Sequence, residues 1–220
     1  MPSIDVQKAR FNMIEQQIRP WNVLDAGVLA LLASVRRDAF VADAHKALAY
    51  ADLEIPLAGG QCMLAPRLEA RLLQDLQVKK SDKVLEIGTG SGFFTALLAH
   101  QAASVLSLEL NPELVAFAKR NLQMAGVTNA EVRQGDGAQG APSHGPFDVI
   151  VLGGSVADVP HELLAQLSIG GRLAAVVGDE PVMRATLITR TSPSDFRTVQ
   201  PWDCDAPRLQ NFAEKSRFSF

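Results

Sequence analysis

The chain has 220 residues, of which 47% are hydrophobic and 20% charged, so it can bury a large apolar core and lacks the composition of disordered proteins. Its net charge of −3 is spread evenly along the chain, and no basic stripe or tail indicates nucleic-acid binding. The two cysteines, Cys62 and Cys204, belong to no CxxC motif and no cysteine/histidine cluster, so we predict neither a disulfide framework nor a metal site.

The N-terminal segment lacks the features of a targeting sequence. Its first twenty residues contain five charged side chains and therefore no uninterrupted apolar stretch. Nowhere in the chain do 18 consecutive apolar residues occur, so we predict no membrane partner. Together with the sparse cysteines, this pattern predicts a cytoplasmic protein, and we expect a monomer or a small homo-oligomer.

The first third of the chain has a helical pattern. Apolar residues recur at spacings of three and four between residues 6 and 49, which predicts helices. A polar, glycine-rich stretch at 50–65 predicts an irregular loop. A further helix is expected to begin at Pro66, because proline suits the first helical position and leucines follow it at helical spacing.

From residue 83 onward, short apolar runs alternate with helical segments, which is typical of βαβ units and a mostly parallel sheet. The predicted strands are 83–87, 105–109, 131–134, 147–153 and 172–177, with two further strand-like runs at 185–190 and 196–199. The predicted helices are 92–101, 112–124 and 160–167. Right-handed crossovers between such strands give a doubly wound α/β sheet.

The strongest local motif is the run VLEIGTGSG, from Val84 to Gly92. A buried strand here ends in three alternate glycines and opens a helix, which allows a ligand to contact the main chain. A dinucleotide-binding turn would read GxGxxG, but the third glycine here is Gly92 and Phe93 follows it. The spacing suits a nucleoside without phosphates, such as S-adenosylmethionine, and Glu86 could hold both the turn and the ligand's ammonium group.

Two acidic residues follow the next two predicted strands. Glu109 lies seventeen residues after Gly92, where its carboxylate could accept both ribose hydroxyls. Asp136, between Gly135 and Gly137, could accept the adenine amino group while the neighbouring backbone contacts the ring edge. Because ligands bind outside the carboxyl ends of strands in such sheets, these motifs together predict a nucleotide site.

These motifs resemble those of class I S-adenosylmethionine-dependent methyltransferases, and residues 147–151 and 169–173 resemble their fourth and fifth strands. The upstream region further resembles protein-L-isoaspartate O-methyltransferases, in order and spacing, at Val35, Arg37, Phe40, Val41, Ala49, Tyr50, Asp52, Pro56, Gly60, Gln61 and Pro66. The resemblance covers about residues 10–180. It implies a Rossmann-like methyltransferase sheet with an N-terminal helical cap, in one domain spanning 1–220, with cap and substrate loop at 1–80 and the cofactor-binding sheet at 81–220.

The resemblance also implies S-adenosylmethionine as cofactor and a set of site residues. The implied cofactor-binding residues are Glu86, Gly88, Thr89, Gly90, Gly92, Glu109, Leu110, Asp136 and Gly137. Those implied around the acceptor are Gly59, Gly60, Gln61, Met63 and Ser155, with Cys62 and Leu64 at possible catalytic positions. The family methylates the carboxylate of isoaspartyl residues in damaged proteins, after which the ester cyclises. A carboxylate nucleophile is already ionised, so no strong general base is required.

The substrate loop departs from the family pattern, which reads Gly-x-Gly-Gln-Thr-Ile-Ser-x-Pro. Leu64 stands at the position of the serine and Cys62 at that of the threonine, so one hydrogen-bond donor is missing. The segment 152–155 also departs from its usual sequence, and the family's C-terminal Val-Pro-Leu element is not recognisable around 206–209.

These departures leave alternatives open. Loop amides with Ser155 or Arg208 could still bind an isoaspartyl carboxylate, or the acceptor is an unidentified one. Cys62 is a candidate nucleophile, although an isolated cysteine usually packs as a small hydrophobe. A non-catalytic S-adenosylmethionine-binding homologue is a further alternative. An NAD-dependent oxidoreductase is a distant one, because Tyr50 is the only tyrosine and no proton-relay pair is evident.

Overall fold

The computed structural model describes residues 5–214, and its N-terminal part is helical as predicted. Asp5 and Asp25 cap the first two α-helices by accepting hydrogen bonds from backbone N–H groups of the first turn. The segments are α1 (Val6–Asn12), a π-helical turn (Met13–Ile18), a 3₁₀ turn (Arg19–Trp21), α2 (Ala26–Ser34) and two further 3₁₀ segments (Arg37–Phe40 and Asp43–Leu48).

A small β-hairpin interrupts the stretch that the sequence predicts as an irregular loop. Strand β1 (Ile55–Pro56) pairs antiparallel with β2 (Cys62–Met63), and residues 57–61 form the hairpin tip. Each strand has only two residues, so a periodicity test cannot detect them. Helix α3 (Pro66–Leu76) follows and begins at the predicted proline.

The central sheet has seven strands in the order β5-β4-β3-β6-β7-β8-β9. They are β3 (Lys83–Ile87), β4 (Ser104–Glu109), β5 (Ala130–Gln134), β6 (Phe147–Val156), β7 (Leu167–Asp179), β8 (Val182–Arg190) and β9 (Phe196–Asp203). Strands β3 to β7 pair in parallel, whereas β8 and β9 complete the sheet as an antiparallel meander. The chain starts in mid-sheet, moves out to β5 and returns to β6, so the switch point lies at β3.

The predicted fourth and fifth strands are longer in the structure. β6 extends three residues past its expected end, and β7 begins at Leu167 instead of residue 172. Gly170 and Gly171 conceal this early start, because Gly170 has a positive φ of 83° and the register with β6 shifts nearby. A glycine pair inside a strand is easily taken for a turn.

Helices flank both faces of the sheet, in agreement with the doubly wound prediction. One face packs against the N-terminal helices, α3, α4 (Phe93–Gln101) and α5 (Pro112–Met124). The other face is covered by the short α6 (His161–Ala165) and by segments that include Ala141 and Phe212. No helix within residues 5–214 is long and apolar enough to cross a membrane. The assignment of both parts to one domain stays a prediction.

Candidate cofactor and acceptor site

The turn after β3, residues 88–92, holds the chain in conformations that favour glycine. Gly88 and Gly92 have φ values of 92° and 84°. A Cβ on Gly92 would lie 3.2 Å from the Cβ of Ala118, and one on Gly88 would lie 3.0 Å from Cδ2 of Leu209. This glycine turn therefore allows both α5 and the C-terminal segment to pack closely against it.

Glu86 supports the glycine turn from below. Its side chain is fully buried, and Oε2 accepts hydrogen bonds from the hydroxyls of Thr95 at 2.5 Å and Ser107 at 2.6 Å. The Ser107 hydroxyl also shares a 2.5 Å hydrogen bond with that of Thr89, inside the turn. Burial raises the pKa of Glu86 to about 8. This network suits the predicted loop-holding role, while a contact with a ligand ammonium group stays a prediction.

Glu109, at the end of β4, is almost entirely buried and joins the glycine turn to the start of α5. Its Oε2 accepts a 2.9 Å hydrogen bond from the backbone N–H of Gly90, and its Oε1 accepts one of the same length from Asn111. Each carboxylate oxygen can accept more than one hydrogen bond, so Glu109 keeps acceptor capacity for a ligand.

The Gly135-Asp136-Gly137 segment follows β5 as predicted. Asp136 accepts 2.9 Å hydrogen bonds from the backbone N–H of Ala138 and from Nδ2 of Asn211. Gly137 lies against Ile87 so closely that an added Cβ would be 2.3 Å from its Cγ2. The segment after β5 thus contacts the end of β3.

These three strand ends border one cleft that is open to solvent. The predicted site residues that line it are Gly59, Gln61, Gly88, Glu109, Leu110, Asp136 and Gly137. Gly135, from the predicted Gly135-Asp136-Gly137 motif, also lines it. Residues that the sequence analysis did not identify complete the lining, namely Ile87, Leu108, Asn111, Leu209, Gln210 and Phe212. Thr89, Gly90 and Gly92 belong to the adjoining turn but do not line the cleft.

The hairpin tip lies over the glycine turn. A Cβ on Gly90 would be 3.3 Å from Cδ1 of Leu57, and one on Gly59 would be 2.6 Å from Nδ2 of Asn111. Gly60, at the same tip, is exposed. Met63 is instead buried beside Ile55 in the hairpin and does not line the cleft.

A buried arginine holds the end of the substrate loop. The Nη2 of Arg37 donates a 2.5 Å hydrogen bond to the carbonyl of Leu64, and Nη1 pairs with Glu69. The same guanidinium lies 4.8 Å from the ring centre of Phe93, the first residue of α4. The Leu64 side chain is itself 5% exposed, so this position contributes apolar packing where the family has a hydroxyl.

The environment of Cys62 does not favour a nucleophile. Its Sγ donates a 3.5 Å hydrogen bond to Oε2 of Glu54. Burial, followed by the charge of Glu54, raises the pKa of the thiol to about 12. The thiolate is the reactive form, so Cys62 is almost entirely unreactive at neutral pH.

Ser155 and Arg208 contact each other instead of lining the cleft. Ser155 is fully buried, and its backbone N–H donates a 2.7 Å hydrogen bond to the carbonyl of Pro207. The Arg208 guanidinium lies 3.5 Å from the Ser155 hydroxyl and pairs with Asp179 at 2.5 Å and Glu214 at 3.0 Å. Neither side chain is free for an acceptor carboxylate in this arrangement, and both instead anchor the segment that brings Leu209 to the cleft.

Comparisons with known proteins agree with this geometry. The chain is 38% identical over 195 residues to the protein-L-isoaspartate O-methyltransferase of Koribacter versatilis, covering 89% of this chain and 87% of that protein. It is 42% identical over 172 residues to that of Methanoculleus marisnigri, covering 78% of each. A Plasmodium falciparum structure, described as such an enzyme in complex with S-adenosyl-L-homocysteine, has the same fold, with a TM-score of 0.80 at 19% identity over 94% of this chain and 99% of that one.

The family model for protein-L-isoaspartate(D-aspartate) O-methyltransferase matches residues 8–200. This match spans the N-terminal helices, the hairpin and all but the last residues of the sheet. The chain belongs to the protein-L-isoaspartate(D-aspartate) O-methyltransferase family.

Proposed function

We propose that this protein transfers the methyl group of S-adenosylmethionine to the carboxylate of isoaspartyl residues and so takes part in protein repair. The observation that carries this proposal is the convergence of the glycine turn, Glu109 and Asp136 on one cleft. The family match over residues 8–200 supports the same activity.

The charges of the cleft suit a cofactor without phosphates. Two carboxylates, Glu109 and Asp136, line it, while no lysine, arginine or histidine does so within residues 5–214. A pyrophosphate there would meet two negative charges and no cation, which disfavours an NAD site. Glu109 would hold the ribose hydroxyls and Asp136 the adenine amino group, with the backbone of the glycine turn beside the methionine end.

When bound, S-adenosylmethionine supplies a methyl group on a positively charged sulfur, which is open to attack by a nucleophile. The chain's own part is to align and desolvate the acceptor. The acceptor carboxylate is ionised at neutral pH, so no side chain has to remove a proton. Gly59 and Gln61, at the hairpin tip, border the cleft and would exclude water from it.

A different acceptor is the second candidate function. Leu64 provides no hydroxyl, and the two side chains considered in its place, Ser155 and Arg208, already contact each other. An isoaspartyl carboxylate would then depend on backbone N–H groups of the hairpin tip. A non-catalytic homologue that only binds S-adenosylmethionine differs from both in giving no turnover.

A pair of peptides tests the proposal. One contains an isoaspartyl residue and the other an ordinary aspartyl residue in the same sequence, and each is incubated with methyl-labelled S-adenosylmethionine. We expect label in the isoaspartyl peptide alone. Tight binding of S-adenosylhomocysteine without labelling would favour the second candidate, whereas binding of NAD and not S-adenosylhomocysteine would overturn the cofactor assignment.

Three further points remain predictions from the sequence. We expect the protein to act in the cytoplasm, to act on proteins and not on nucleic acids, and to be a monomer or small homo-oligomer.

A further inference from the structure

An open recess lies beside the hairpin, separate from the cofactor cleft. The base of the hairpin and the start of α3 form one wall, which includes Glu54 and Arg67. The start of β8 and the segment after β9 contribute another, which includes Val182 and Asp205. None of the residues discussed above as cofactor-binding lines it.

The recess is strongly acidic. Four carboxylates and a single guanidinium line it, and that guanidinium, on Arg67, is paired with Asp52 at 2.5 Å. Asp203 pairs with Arg184 at 3.0 Å. Glu54 and Asp205 are both exposed and have no ion-pair partner in the part of the chain that the structure describes. These two exposed carboxylates, on different walls of the recess, favour a cation between them.

The recess also has aromatic and apolar groups in its lining, beside the carboxylates. Both tryptophans of the chain, Trp21 and Trp202, line it. Guanidinium groups already stack on these rings, Arg67 at 4.2 Å from the centre of Trp21 and Arg71 at 4.8 Å from that of Trp202. The aliphatic stem of a lysine or arginine packs well on such apolar surface while its charged end meets carboxylates.

Two segments connect this recess to the proposed methyl-transfer site. The hairpin leads from Glu54, in the recess, to Gly59, in the cleft. The C-terminal segment leads in the same way from Asp205 to Leu209. At roughly 3.3 Å per extended residue, the four residue steps from Asp205 to Leu209 span at most about 13 Å. The hairpin path has one step more, but the 3₁₀ turn at Ala58–Gly60 shortens it to a similar length. If the methylated residue of an extended polypeptide lies in the cleft, a side chain about four or five positions away would lie in the recess.

Building on the proposed function, we propose that this recess binds a lysine or arginine side chain of the acceptor polypeptide, about four or five residues from the methylated one. The protein would accordingly select isoaspartyl sites that have a positive charge at this distance.

Matched substrates test this selection. Isoaspartyl peptides carry either lysine or glutamine at one position, three to six residues before or after the isoaspartyl residue. We expect kcat/KM to be about tenfold higher for lysine at the best position, from two exposed ion pairs and the packing of the aliphatic stem on apolar surface. In the double variant E54Q/D205N the ratio of the two values should fall to about two or less. Glu131→Gln, on the opposite sheet edge, removes the same kind of charge and should keep the ratio.

Equal kcat/KM values for the lysine and glutamine peptides at every position would overturn the proposal, as would a ratio that E54Q/D205N leaves unchanged.

Tryptophan fluorescence separates this proposal from the proposed function, because both tryptophans line the recess and binding requires no turnover. Ordinary aspartyl peptides with lysine or glutamine are titrated into the protein with S-adenosylhomocysteine present. We expect the fluorescence change to saturate at a lower concentration of the lysine peptide than of the glutamine peptide, and this difference to be lost in E54Q/D205N. That result supports binding in the recess even if no isoaspartyl peptide is methylated. Identical titrations for both peptides, or no change with either, would show that the recess does not bind basic side chains, whatever the enzyme methylates.

Discussion

The carboxylate of Glu109 accepts a 2.9 Å hydrogen bond from the backbone N–H of Gly90, so the acid at the end of β4 and the glycine turn after β3 form one unit. A second hydrogen bond, from the N–H of Asn111, fixes the other carboxylate oxygen. Glu109 is thereby held in a single orientation before any ligand binds, which lowers the entropic cost of binding.

Replacement of Glu109 by alanine should weaken cofactor binding. Hydrogen bonds to a charged group contribute about 1.5–3 kcal/mol, so we expect the Kd for S-adenosylhomocysteine to rise by about 10- to 100-fold. Isothermal titration calorimetry measures this change, and circular dichroism checks that the fold is retained. Glu113→Ala, an exposed acid in the first turn of α5, is the matched control and should bind normally. An unchanged Kd for Glu109→Ala would mean that the ribose site is elsewhere.

The two glycines beside Asp136 should differ sharply in their tolerance of alanine. A Cβ on Gly137 would be 2.3 Å from Cγ2 of Ile87, whereas a Cβ on Gly135 would meet nothing within 4 Å. Because Ile87 lines the cleft, Gly137→Ala should displace it, cost about 1–3 kcal/mol of stability and lower cofactor affinity. Gly135→Ala should leave stability nearly unchanged. Urea denaturation and calorimetry on the pair test this, and equal behaviour of the two variants would contradict the packing described here.

A serine at position 64 should give higher activity on isoaspartyl peptides than an alanine at the same position. Leu64→Ser adds a hydroxyl that can donate a hydrogen bond to an acceptor carboxylate, and we expect kcat/KM about tenfold above that of Leu64→Ala. Alanine is the appropriate control because both changes remove a buried leucine, at a cost of about 2–5 kcal/mol of stability. Equal activities of the two variants would point to an acceptor other than isoaspartate.

Glu86 should make stability depend on pH. Burial raises the pKa of this carboxyl to about 8, so between about pH 4.5 and pH 8 the folded state keeps a proton that the unfolded state has lost. The free energy of unfolding should therefore fall as pH rises through this range, by at most about 1.4 kcal/mol per pH unit from this group. Glu86→Gln resembles the protonated form and should flatten the dependence. Urea denaturation at pH 5, 6, 7 and 8 compares the slopes, and parallel slopes would contradict the raised pKa.

The sequence predicted those elements whose ends are determined by residues close together in the chain. Asn111 caps α5, Pro112 occupies its first turn and Gly126 follows its end with a positive φ, all as the sequence indicates. The glycine turn and the acids after β4 and β5 were likewise evident, because each motif lies within a few residues and parallel strand ends share one edge.

Contacts between distant parts of the chain could not be predicted in the same way. Leu209 and Phe212 line the cleft because the C-terminal segment pairs with the end of β6 through Ser155, more than fifty residues away. No motif around Leu209 marks that role. The ion pair of Arg37 with Glu69 could not be predicted from the sequence either, because the sequence indicates a helical face but not which charged side chain is buried in it.

The most direct test of the central claim is the release of labelled methanol from an isoaspartyl peptide after incubation with methyl-labelled S-adenosylmethionine. A methyl ester on an isoaspartyl carboxylate cyclises and releases methanol, so we predict labelled methanol from the isoaspartyl peptide and none from its aspartyl counterpart. Absence of labelled methanol from both peptides, with S-adenosylhomocysteine binding intact, would contradict isoaspartyl methylation by this protein.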